Sequence, residues 1–108
     1  MHSLDQRYER ACTYFDARDY ITAAQYLAEI VSEVPQNVSA RLLLARAYYH
    51  SAQLVRAEAQ LREVIAQAPT EAYAHLMLGR TLQRQSRPGE AAAPLRMAAA
   101  MSDYPIPD

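Results

Sequence analysis

The chain has 108 residues, 51% of them hydrophobic, with 11 basic and 12 acidic side chains and a formal net charge of −1 at pH 7. That is the size of one domain, and the near-neutral balance excludes a phosphate-driven nucleic-acid binder and a polybasic membrane ligand. No apolar run reaches bilayer-spanning length, no charged-then-apolar leader opens the sequence, and the single cysteine, Cys12, excludes an intrachain disulfide and fits a reducing, cytoplasmic setting. Two glycines against abundant alanine predict a helical protein. All the basic residues are arginine, and that planar fork matters wherever one faces a ligand.

Ser3 with Gln6 reads as a capping box opening a first helix that runs to about Arg18. Asp19 caps a second helix, about Tyr20 to Val34, which Pro35 ends. A third helix opens near Asn37 and covers Val38 to Ala52, and a fourth runs from about Leu54 to Ala68 until Pro69 stops it. Thr70 is the expected cap of a fifth helix, about Glu71 to Gln85. Pro88 falls in the first turn of a sixth, which reaches about Met101 and carries a bend-inducing Pro94. Residues 102–108, with Pro105 and Pro107, form a Pro-rich extended tail.

These six segments repeat at a spacing of 34 residues. Ala11, Ala45 and Gly79 share one phase; Ala23, Ala57 and Ala91 share another. Tyr14, Tyr48 and Leu82 recur, as do Leu27, Leu61 and Leu95, and Pro35 and Pro69 close two units. The small residues let paired helices approach closely, and the large ones fill the wedge between hairpins. On this scheme Gly79 accepts alanine, whereas leucine at Ala57 pries a hairpin open.

A 34-residue period with this small–aromatic–small–bulky order resembles the tetratricopeptide repeat (TPR) family. The likeness covers about Leu4 to Ser102 and is fullest at Leu44, Ala45, Tyr48, Ala57, Leu61 and Pro69. It implies an all-α, right-handed α-solenoid of three helix–turn–helix hairpins and six helices. Residues 1–101 then form one domain with repeats at about 4–37, 38–71 and 72–105, followed by the tail 102–108. Arg10 replaces the leucine of Leu44 and Leu78 and, beside Arg7, makes the first helix polar, so the array is expected to begin there. At the far end Ala92, Leu95, Ala99 and Met101 leave an apolar stripe. Either the tail, through Tyr104 and Ile106, folds onto it, or a second copy does. Self-association is favoured, because a seven-residue tail covers little area.

In the TPR family the first helices of successive hairpins line a concave groove. The matching positions here put Tyr8, Cys12, Leu42, Arg46, Tyr49, Tyr73, Leu76, Arg80 and Arg84 in a ligand-binding groove, with Asp5, Phe15, Ser39 and Gln83 also lining it and His50 at its rim. Tyrosine and arginine together are enriched in interaction hot spots, and Arg46 and Arg80 sit at equivalent points of adjacent hairpins. The bland alternative is half-buried tyrosines and arginines paired with Asp5, Glu9 or Asp16. Tyr8, Cys12, Leu43, Tyr73 and Met77 stand where family members that grip chaperone C-termini carry a lysine/asparagine clamp, so that activity is not supported.

No catalytic set is expected. Cys12 with His50 or His75 is the sole nucleophile–base vocabulary, on different hairpins and with no acid to orient a histidine. His2, His50 and His75 do not reach metal-ligand spacing, so neither metal nor cofactor is expected. The reading is a protein-interaction module or scaffold that binds a peptide segment of a protein partner in the groove, homodimeric through the last helix. The alternatives are a small TPR chaperone for a secreted or assembling substrate protein, and a structural role in self-assembly.

Overall fold

The computed structural model describes residues 3–102, which form six helices: α1 (Leu4–Asp16), α2 (Tyr20–Glu33), α3 (Val38–His50), α4 (Leu54–Gln67), α5 (Ala72–Arg84) and α6 (Pro88–Met101). Consecutive helices pack antiparallel as three hairpins. Each hairpin's second helix then packs on the first helix of the next, α2 on α3 and α4 on α5. The result is an all-α solenoid 45 Å long and 24 by 22 Å across. The tail residues Tyr104 and Ile106, invoked above as a cover, lie outside the described residues.

The small-residue phases do what their spacing requires. Ala11, Ala23, Ala45 and Ala57 have no exposed surface and Ala91 has 1%, so each hairpin closes on its alanines. Leu27 and Leu61 fill the wedges between hairpins. Burying such a leucine is worth about 1.5–3 kcal/mol relative to leaving it in water, so the stacking of hairpins, rather than any one hairpin, holds the fold.

The helix starts follow the sequence in part. Ser3 and Gln6 exchange both capping-box hydrogen bonds, Asp19 accepts from the Thr22 N–H, and Asn37 accepts from the Ala40 N–H. Thr70 does not cap α5: the cap position is Glu71, with no side-chain bond. The first helix of each hairpin also stops one to two residues earlier than expected. Arg18, Ala52 and Ser86 take left-handed φ values of 64°, 61° and 60°. The N–H groups of Asp19, Gln53 and Arg87 then donate back to the carbonyls of Tyr14, Tyr48 and Leu82. That is the Schellman closure, built here without glycine. The turn recurs at the same 34-residue period as the side chains. Pro94 leaves α6 unbroken, because its missing N–H removes one bond from a helix otherwise held by α5.

The two junctions between hairpins differ. Arg7, Arg41 and His75 occupy one phase of the repeat. At the first junction Arg41 donates to the Pro35 carbonyl (3.0 Å) and to Gln60 Oε1 (2.7 Å). At the second, the shorter His75 bonds Pro69 O at 2.8 Å, and Pro94 stands in the phase of Gln60. An open depression of about 440 Å³ remains there, lined in part by Ile65, His75, Leu78, Pro94 and Met97.

Candidate functional site

Residues three, four and seven apart share one face of a helix. That rule puts Tyr8, Cys12 and Phe15 of α1 on one side, with Leu42, Arg46 and Tyr49 of α3 and Tyr73, Leu76 and Arg80 of α5. The stacking brings these faces together as a row of rings and guanidiniums crossing all three hairpins. Phe15 meets Tyr20 edge-on at 5.1 Å and His50 edge-on at 5.9 Å. His50 stacks on Tyr20 at 4.7 Å and meets Tyr49 edge-on at 5.5 Å. Arg46 sits over Phe15 (4.9 Å to the ring centre) and over Tyr73 (5.6 Å), so one side chain touches three hairpins. Arg84 lies 4.5 Å over the Tyr49 ring and donates to the Tyr49 carbonyl at 2.8 Å.

Three arginines elsewhere on the surface are paired with carboxylates: Arg7 with Glu33 and Glu29, and Arg62 (3.0 Å) and Arg87 (2.7 Å) with Glu58, which also accepts from Gln85 (3.0 Å). Arg46 and Arg84 have no carboxylate within 4.0 Å among the described residues, and Arg46 Nε is buried without a hydrogen-bond partner there. Burial, then the charges of Arg46 and Arg84, push the His50 imidazole below its ordinary range. Burial also raises the Tyr8 phenol and the Cys12 thiol, with Asp16 adding to the latter. A thiol raised this way is a poor nucleophile at neutral pH. Among the described residues no three His, Cys, Asp or Glu residues converge as a metal site, and no helix is long and apolar enough to cross a membrane.

The expected lining residues fall into two groups. Arg46, Tyr49, Tyr73 and Arg84 converge on the row of rings. Leu42 and Leu76 are half-buried between them, and Tyr8 and Cys12 form a separate contact toward the α1 end. Arg80 is half-buried and engaged by neighbouring groups. Phe15 and His50, assigned to the lining and the rim, are the hub. No short-range spacing announces them, since 35 residues separate Phe15 from His50. On α6, Leu95 and Ala92 are half-buried, Leu95 lying against α5, while Ala99 and Met101 are exposed.

A stack of helical hairpins with an uncovered face shared by the first helix of each defines a helical-repeat solenoid. Residues 14–81 match the Tetratricopeptide repeat family model, and the protein belongs to that family. Solved structures agree on the fold. A MamA point mutant is 18% identical (TM-score 0.87), the match covering 92% of this chain and 72% of that one. YrrB, described as a TPR protein with an unusual peptide-binding site, is 21% identical (TM-score 0.90; 95% and 53% covered). The CopN–Scc3 complex contributes a chain 17% identical (TM-score 0.88; 94% and 59% covered). The present chain thus spans little more than half the length of the latter two. No curated protein sequence matches it. Proteins of this family generally serve as interaction modules, and this one is a protein-interaction scaffold.

Proposed function

We propose that the face built by α1, α3 and α5 is the binding groove, and that its ligand is an extended or helical peptide segment of a protein partner. One observation carries this reading: a continuous row of rings and arginines crosses three hairpins, with Tyr73 38% exposed and two guanidiniums lacking carboxylate partners among the described residues. Aromatic and arginine side chains anchored in this way are what interface hot spots are made of. YrrB, with the same fold, is described as having a peptide-binding site, which supports the class of ligand.

A photo-crosslinking residue at Tyr73 tests the face against one at Val55, which is 74% exposed on the opposite layer. In cells, the Tyr73 position should give discrete protein adducts and the Val55 position none. Adducts from Val55 alone, or from neither, would overturn the assignment.

Self-association through α6 is a second reading. It is favoured by Leu95, which stays half-exposed where Leu27 and Leu61 have no exposed surface. Light scattering should then show a dimer that Leu95→Glu dissociates. A monomer at high concentration would end this reading.

A further inference from the structure

We propose that the depression at the second junction is a binding site of its own, and that it takes a neutral aromatic side chain carrying a hydrogen-bond donor, a tyrosine or tryptophan of a partner protein. The site is separate from the face of α1, α3 and α5. By helical spacing, His75 and Leu78 occupy the opposite side of α5 from Tyr73, Leu76 and Arg80. Three changes of residue between the two junctions open it. In steps of 34 residues, Arg41 becomes His75, Gln60 becomes Pro94 and Glu63 becomes Met97. At the first junction Arg41 reaches both the Pro35 carbonyl and Gln60. At the second, the shorter imidazole reaches the Pro69 carbonyl, and Pro94 offers no side-chain group to complete the tie. About 440 Å³ is left open between α4, α5 and α6, with Ile65, Leu78, Pro94 and Met97 as its apolar lining.

The chemistry of the lining selects the occupant. His75 is 9% exposed, and its Nε2 lies 2.8 Å from Pro69 O. A carbonyl oxygen only accepts, so Nε2 carries the hydrogen, and Nδ1 of the neutral ring is an acceptor. No described residue donates to that nitrogen. A purely apolar group sealing the depression would leave its lone pair unpaired at a cost, whereas a phenol O–H or an indole N–H satisfies it. Met97 is 46% exposed, and a thioether packs well against the edge of an aromatic ring. The charges at the rim are balanced. Arg62 and Glu90 are both more than half exposed there, but Arg62 pairs with Glu58 at 3.0 Å and Glu90 with Arg87 at 2.7 Å. A charged ligand would gain little from such a rim; a neutral ring with one donor fits it.

The test uses p-cresol as a free tyrosine side chain and 4-methylanisole as a similar ring without a donor. Each is titrated into the full-length protein while the methyl signals of Ile65, Leu78 and Met97 are followed by NMR. p-Cresol should shift all three saturably, and 4-methylanisole should bind roughly 3- to 10-fold more weakly, the worth of one hydrogen bond. His75→Phe should erase that difference. His75→Arg with Pro94→Gln copies the Arg41–Gln60 tie into the second junction and should abolish binding of both probes. Ala93→Phe, at an exposed position of α6, should do the same by filling the depression. If His75→Phe loses its helical signal, the other two variants must each still remove binding. Equal affinity for the two probes, or binding that survives Ala93→Phe, would overturn the site. The partner is tested with random dodecapeptides carrying a fixed central Tyr, Trp, Phe or Ile, selected on the immobilised protein and again on Ala93→Phe. The Tyr and Trp arms should yield peptides that p-cresol displaces and that Ala93→Phe does not retain. Equal yields from the Phe or Ile arm would overturn the donor. Probe binding that appears only after Tyr104→Ala would make the occupant this chain's own tyrosine, and a dimer that Ala93→Phe dissociates would make it a second copy; either result overturns the partner.

Discussion

Gly79 shows how far a repeat can be read residue by residue. Its phase-mates are Ala11 and Ala45, so the sequence predicts that alanine fits there too. In the structure a Cβ at Gly79 would lie 2.5 Å from Leu95 Cγ and Cδ2 and 3.4 Å from the Ala91 carbonyl oxygen. The branch point of Leu95, not just a terminal methyl, would have to swing away. Alanine gains about 1 kcal/mol of helix propensity over glycine, whereas overpacking costs about 1–3 kcal/mol. Gly79→Ala should therefore destabilise the protein, and the same change should stabilise it by about 1 kcal/mol when Leu95→Ala has already emptied the space. Urea denaturation of the four proteins in that cycle measures the sign reversal; additive effects would mean the two positions do not meet. The site was legible to a similar depth. Helical spacing placed Arg46, Tyr49, Tyr73 and Arg84 on one face. The ring contact of Phe15 with His50 was not legible, because it depends on how two hairpins are rotated against each other.

The helices themselves were readable wherever a local signal exists. Ser3, Asp19 and Asn37 start α1, α2 and α3 as their side chains predict, since a cap is a contact within three residues. The ends of α1, α3 and α5 carried no such signal. Arg18, Ala52 and Ser86 are not the glycines that left-handed closure favours, so nothing in their identity announces a turn. Tertiary packing imposes the conformation: the second helix must fold back at once to bury Ala23, Ala57 and Ala91. For a non-glycine residue this φ costs about 1–2 kcal/mol. Ala52 is exposed at the tip of the central hairpin, where removing its methyl group loses no packing. Ala52→Gly should accordingly raise stability by about 1 kcal/mol, less what the extra freedom of the unfolded state takes back. A thermal melt checks it, and a lowered melting temperature would show that the turn is not strained.

Across the whole molecule the stack is uneven from end to end. Ile30 and Val64 have no exposed surface and their phase-mate Ala98 has 2%, but the neighbouring phase runs from Val31 at 7% through half-buried Ile65 to exposed Ala99. Larger residues sit where two neighbours cover them, and smaller ones on the last described helix. The core follows the same logic. One buried cluster spans α1, α2 and α3, a second runs from α3 to α6, and α3 contributes to both. The second junction is looser, with His75 and Pro94 in place of the Arg41–Gln60 bond and the depression between α4, α5 and α6 left open. In a linear array each hairpin is held by its neighbours alone, so opening begins where one neighbour is missing and the remaining contact is weaker. Those conditions coincide at the third hairpin: α5 meets α4 across the looser junction, and α6 has no described helix beyond it and loses one backbone bond at Pro94. Native-state hydrogen exchange should therefore find α6 opening at a free energy roughly 1–3 kcal/mol below the global value, with α3 exchanging only through complete unfolding. Equal protection of α3 and α6 would mean that the third hairpin is held as firmly as the centre. If α1 opened first instead, the polar ties of Arg7 to Glu29 and Glu33 would be a weaker closure than the half-covered leucine at the other end.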